Sequence, residues 1–161
     1  MKTRLFRDVD ELAGSLEERR AGGSRIVLAN GCFDILHVGH VRYLEEAASL
    51  GDLLVVAVND DRSTRALKGE GRPVIPEEER AELLLSLRCV DYCLLFGDRT
   101  VDRIIRGLKP EIHAKGTDYT VASVPERETA ISVGTRTVIT GDPKTHASRE
   151  IIGRMRDDGR V

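Results

Sequence analysis

At 161 residues the chain can bury a sizeable core and still fit one domain (1–161), since splitting sets in only above ~250 residues. A formal net charge of −2 gives no basic field for nucleic acid or an anionic membrane, and no apolar run approaches the ~20 residues a membrane span requires. Three cysteines without framework spacing fit a reducing compartment, and Met1-Lys2-Thr3-Arg4 leads into charged sequence, so the expected location is the cytoplasm.

In chain order, Leu12 and Leu16 stand four apart among charges within Val9 to Arg20, and Gly22-Gly23 follows, which predicts an N-terminal amphipathic helix packed on the core's edge (residues 1–23). Ile26 to Ala29 is short and apolar, as in a buried strand, and leads at once into the glycine turn Asn30-Gly31-Cys32-Phe33-Asp34. His37-Val38-Gly39-His40 opens a helix, because Val41, Leu44, Ala47 and Ala48 recur at helical spacing and Gly51 supplies a stop. Leu53 to Val58 is continuously apolar, as in a strand covered on both faces, and Asn59 to Val74 follows as a loop longer than the usual connection. Pro76 and Glu77-Glu78-Glu79 start a helix that runs through Arg80, Leu83, Leu84 and Leu87. Val90 to Phe96 is the next strand, Thr100 to Leu108 a helix stopped by Lys109-Pro110, and Ile112-His113-Ala114 a short strand. Pro125 to Ser132 is a helix ending near Gly134, Arg136 to Thr140 the last strand, and Ser148 to Met155 a closing helix. This alternation argues an α/β fold with a parallel sheet between two helix layers.

Ile26 to His40 has the build of a phosphate site, in which backbone N–H groups and the positive end of a helix dipole face one crevice. Gly31 lets the chain approach a ligand, and Gly39 leaves the imidazoles of His37 and His40 on one side of the first turn. An imidazolium at a helix N-terminus is disfavoured unless an anion compensates it, which weighs against an ordinary surface pair. Zinc would require two further ligands. His113 and His146 lie in no ligand-like spacing, and Cys32, Cys89 and Cys93 form no CxxC pair, so no protein-held metal is expected. Cys32 suits a small side chain filling a tight turn.

The run Asn30-Gly31-Cys32-Phe33-Asp34-Ile35-Leu36-His37-Val38-Gly39-His40 resembles the signature of the HxGH nucleotidyltransferases, the superfamily of glycerol-3-phosphate cytidylyltransferase and class I aminoacyl-tRNA synthetases. More narrowly it resembles the heptose-1-phosphate adenylyltransferases of ADP-heptose synthesis. The resemblance implies a Rossmann-like, doubly wound, five-stranded sheet of order 3-2-1-4-5, with the first strand central and Asn30 to His40 at the switch point. It also implies that Asn30, Gly31, Cys32, Phe33, His37, Gly39 and His40 line the nucleotide and that Asp34 faces the second substrate.

Three later loops extend the likeness. Lys68-Gly69-x-x-Arg72-Pro73-Val74 matches the heptose-phosphate adenylyltransferases without a gap through Arg80, so Lys68, Arg72 and Arg80 are expected around one anion, with Lys68 at the phosphates of both substrates. Asn59 and Asp61 either hold sugar hydroxyls or cap the turn. Lys115-Gly116-Thr117-Asp118-Tyr119 resembles the family's KGxDY motif, which implies Lys115 and Gly116 at the phosphates and Asp118 at the ribose or the metal. Tyr119 either stacks on a ring or packs under its own loop. At the last helix the superfamily carries a serine/threonine run, but here Ala147 and Arg149 take two of the places and only Ser148 remains, as phosphate ligand or helix cap. Arg149 could replace the lost hydroxyls with charge.

The activity so implied is in-line nucleotidyl transfer from a nucleoside triphosphate, ATP ahead of CTP, to a sugar phosphate of the heptose 1-phosphate type, with pyrophosphate released. His37, His40 and Lys68 carry it, Mg²⁺ travels with the triphosphate, and no general base is needed. A homodimer is expected at the family level, with neither nucleic acid nor membrane as partner. The likeness includes no sugar-kinase domain of the kind fused in bifunctional relatives, so a monofunctional form is expected. Two alternatives stand beside this reading: cytidylyl transfer to glycerol 3-phosphate or a similar alcohol phosphate, and a nucleotide-binding module without catalysis.

Overall fold

A computed structural model describes residues 4–143 and 147–157. Lys144, Thr145 and His146, the first two from the third loop and the last set aside above as a metal ligand, lie outside the described residues.

The elements in order are β1 (Leu5–Phe6), α1 (Val9–Ala21), β2 (Ile26–Gly31), α2 (Val38–Ala48), β3 (Leu53–Asn59), α3 (Asp61–Lys68), α4 (Glu77–Leu85), β4 (Tyr92–Phe96), α5 (Asp102–Leu108), β5 (Ile112–Lys115), a 3-10 turn (Val121–Ser123), α6 (Arg127–Val133), β6 (Arg136–Ile139) and α7 (Ser148–Asp157). The strands form one sheet in the order β1-β4-β3-β2-β5-β6, and every pairing is parallel. The five expected strands keep the expected order, but the sheet has six strands because β1 adds itself to the edge beside β4. Two residues are too few for a strand period to show in a sequence.

β2 and β3 pair from Ile26↔Leu53 through Gly31↔Val58, and all seven residues of β3 are buried. Their side chains part by parity, as the two-residue repeat of a strand requires. Val27, Ala29, Val56 and Val58 pack with Leu44 and Ala47 of α2 and Leu84 of α4. Ile26, Leu28, Val55 and Ala57 pack on the other face with Leu12 and Leu16 of α1 and Ile104 and Ile105 of α5. The run of apolar residues is therefore a strand covered from both sides, the α/β/α arrangement.

The second correction is α3, which occupies half of the segment expected as a long loop. Asp60 caps it by accepting the Ser63 N–H at 2.7 Å, and Gly69 ends it at φ 100°, a conformation glycine adopts without strain. Its buried residues are Ser63 and Thr64, while Leu67 is exposed, so no apolar stripe marks the helix in the sequence. The connection that remains runs only from Gly69 to Pro76.

Candidate active site

β2 lies between β3 and β5, so the chain leaves the sheet in opposite directions on its two sides and the crevice at its carboxyl end is a topological switch point. Residues 32–37 cross this crevice to α2. Within that crossing Phe33 and Ile35 hold left-handed backbone, with φ of 51° and 54°, a strain that surrounding contacts must fix. A Cβ on Gly31 would stand 3.2 Å from the Phe33 ring, so glycine here lets that ring fold back into the core, edge-on to His40 at 5.3 Å.

His37 is the N-cap of α2, and its Nδ1 accepts the Gly39 N–H at 3.1 Å. His40 Nδ1 in turn accepts the His37 N–H at 3.3 Å, and the two rings stack with centroids 3.8 Å apart. This is a reciprocal capping box built from imidazoles instead of Ser and Glu. Because Nδ1 is the acceptor in both, each neutral ring carries its proton on Nε2 and is a donor there. It also changes one expectation. The N–H groups of Gly39, His40 and Val41 are taken up by His37, so these amides do not face a ligand themselves and the imidazoles stand in for them.

Asp34, expected toward the second substrate, is buried and used by its own chain. Its carboxylate accepts Val74 N–H at 2.9 Å, Ile75 N–H at 3.0 Å and Arg72 Nε at 2.6 Å. Burial pushes this carboxyl up, but those two N–H donors and the Arg72 guanidinium outweigh it and hold Asp34 below the ordinary carboxylate range. Ser148 completes the clamp: its hydroxyl donates to the carbonyls of Asp34 and Ile35, tying α7 to the turn. The one hydroxyl left of the superfamily's run therefore holds backbone, and Arg149 stands exposed one residue on.

Arg80, expected beside Lys68 and Arg72 at one anion, is instead sealed inside. It donates from Nε to Ile75 O at 2.9 Å, from Nη1 to Cys32 O at 2.5 Å and Asn59 O at 2.8 Å, and from Nη2 to Asp61 at 2.8 Å. It locks the β2 turn, β3, α3 and the strap before α4 together. Of the two roles open for Asn59 and Asp61, the structure gives the cap to neither. Asn59 is buried and donates to Ser63 Oγ and Asp98 O, Asp61 receives Arg80, and the cap is Asp60. Cys32 lies 3.8 Å from Asn59 Oδ1, a packing position. Lys68 ends α3 with its side chain exposed.

Sequence reasoning missed the residues that weld β5 to the crevice. His113 Nε2 meets Asn30 Oδ1 at 2.9 Å, and Tyr43 donates its hydroxyl to Ala114 O at 2.8 Å while accepting the Asn30 N–H. Burial, with help from Lys115, pulls His113 down to about 3, so it is a neutral spacer. The signal was alternation: His113 and Lys115 interleave with Ile112 and Ala114 in a strand whose four residues are all buried. Gly116 opens the turn after β5, Asp118 is exposed on it, and Tyr119 packs under Lys115 with the ring 4.5 Å from Nζ.

The profile of the cytidylyltransferase-like family matches residues 28–152, which runs from β2 into α7 and takes in the whole site. The chain belongs to the cytidylyltransferase-like family. Within that family it is 48% identical over 146 residues to the bifunctional protein HldE of Pelobacter propionicus and 44% identical over 149 to that of Geobacter sulfurreducens. These matches cover 91% and 92% of this chain but 30% of each relative, so the chain spans about a third of the length of the curated relatives it matches. Among solved structures, the lipopolysaccharide core biosynthesis protein of Thermoplasma volcanium is 31% identical and superposes with a TM-score of 0.66 over 76% of this chain and 100% of its own. Pantothenate synthetase from Thermus thermophilus shares the fold alone, at 16% identity and a TM-score of 0.69, over 98% of this chain and 71% of its own.

Among the described residues of this cytidylyltransferase-like domain, no three His, Cys, Asp or Glu side chains gather where they could hold a metal ion. No described helix is long and apolar enough to cross a membrane. The chemistry on offer is polar and cationic: two imidazole donors, Lys68, Lys115 and the Arg72 guanidinium.

Proposed function

We propose that the domain joins the nucleoside monophosphate of a triphosphate, ATP ahead of CTP, to the phosphate of a heptose 1-phosphate-type sugar and releases pyrophosphate. One observation carries this reading: the stacked His37–His40 pair, its Nε2 donors fixed by backbone N–H groups at the start of α2, at the switch point of the sheet. The likeness to the bifunctional HldE proteins and to a lipopolysaccharide core biosynthesis protein supports this reading.

An oxygen of the sugar phosphate attacks the α-phosphorus, the bond from that phosphorus to the bridging oxygen breaks, and pyrophosphate leaves with the electron pair. The nucleophile is already ionised, so the protein supplies position and charge rather than a base. His37 and His40 donate from Nε2 to the α- and β-phosphate oxygens, where negative charge grows as the leaving group departs. Lys68 and Lys115 neutralise the two sides of that charge. Mg²⁺ enters as part of the substrate, on the triphosphate oxygens.

The test is pyrophosphate release from the purified protein given heptose 1-phosphate and each triphosphate in turn. Release with ATP well above that with CTP supports the proposal. Release with CTP and glycerol 3-phosphate moves the protein to the cytidylyl branch, and no release with any pair reduces it to a binding module.

A further inference from the structure

We propose that Glu126 is a positioning residue for Lys115, holding its ammonium charged at the crevice while leaving its N–H donors to a polyphosphate. This rests on the reading that the crevice takes a triphosphate. Both side chains are almost fully enclosed, at 7% and 3% exposure, and Nζ stands 4.0 Å from Oε2. At that distance the pair attracts by charge without forming a hydrogen bond. The other carboxylate oxygen is held by the Val101 N–H at 3.3 Å, so the group is fixed in place, yet Oε2 has no hydrogen-bond partner among the described residues. An enclosed carboxylate oxygen left without a donor is costly, and such an atom in a folded protein calls for an explanation. Here the explanation is the cation in front of it. The Tyr119 ring lies 4.5 Å from Nζ, and Lys115 is the last residue of β5, one past the Ala114 that pairs with Ala29 of β2.

Glu126 therefore does for Lys115 what the backbone N–H groups do for the imidazoles. It fixes the state of a group that faces the ligand without consuming the group's donors. Burial pulls the Lys115 ammonium below its ordinary value, and Glu126 first and Asp118 second offset part of that fall. His113 on β5 and Tyr43 on α2 contribute no counter-charge, His113 being held neutral and the Tyr43 phenol pushed up by burial, while Tyr119 packs its ring near Nζ.

The experiment is the pH profile of kcat/KM for the triphosphate in wild type, Glu126→Gln and Glu126→Asp, with thermal unfolding as the check on the fold. Glu126→Gln keeps the shape and the Val101 contact and removes only the charge. The alkaline limb should move to lower pH by about one unit or more, the amount an opposite charge at this range supplies. Glu126→Asp should shift it the same way by less. An alkaline limb unchanged in a folded Glu126→Gln overturns the proposal, and if that variant does not fold, an unchanged limb in Glu126→Asp does so. Titration of the Lys115 Nζ by NMR in the unliganded variants reads the same shift without turnover. It therefore decides the role of Glu126 even if the wild-type protein releases no pyrophosphate, an outcome that would defeat the functional reading alone.

Discussion

His40 does two jobs at once: its Nδ1 caps the amide of His37, and its Nε2–H is aimed by that contact. Replacing it with alanine removes the donor proposed to act on the transition state, so turnover should fall by roughly 10²-fold or more. Its capping role adds a smaller loss, about 1 kcal/mol of stability, that a thermal melt would read separately. Full activity in a folded His40→Ala variant would place the chemistry elsewhere. Lys68 makes the contrasting case, because its exposed position at the end of α3 gives it no structural duty. Lys68→Ala should leave the melting temperature within a degree or two and lower kcat/KM by at least tenfold. Steady-state kinetics beside a melt distinguishes the two residues.

The strap from Gly69 to Pro76 is the element on which the site's shape depends, and two buried charges hold it. Arg80→Met would leave the carbonyls of Cys32, Asn59 and Ile75 without their donor and should cost about 3–5 kcal/mol in urea unfolding. Asp34 sets a pH window. Its folded value lies below the ordinary 3.8, so its stabilisation is present above about pH 4 and is lost as pH falls through the folded value, when the unfolded chain has already taken up the proton. Asp34→Asn should therefore flatten the acid limb of stability against pH, measured by urea midpoints between about pH 2 and 5. The strap also shows where sequence reasoning stops. The glycine turn, the histidine pair and the five strands from β2 to β6 were readable because period, cap and breaker agreed there. α3 was not, since its inward residues are Ser63 and Thr64, and a helix that buries hydroxyls leaves no apolar period. Arg80 was placed at an anion by the resemblance, although its spacing from Leu84 puts it on the inward stripe of α4. A charge on a buried stripe could have signalled a clamp.

At the scale of the whole molecule, the parallel order converts one central strand into a site, because β2 ends where the connections diverge and α2 begins there. Asp34, Arg80 and Ser148 sit behind that crevice and tie loops together around it. In the proposed reading the imidazoles and lysines meet the substrate. A ligand that binds only the folded state stabilises it by mass action, so MgATP at roughly a hundredfold excess over Kd should add about 2.7 kcal/mol, read as a raised melting temperature that His40→Ala largely abolishes. The central claim is the location of the triphosphate. A crystal structure with a non-hydrolysable ATP analogue tests it most directly: the account predicts the α- and β-phosphates within hydrogen-bond distance of the Nε2 atoms of His37 and His40. Phosphates seated at another edge of the sheet, with both imidazoles untouched, would contradict it.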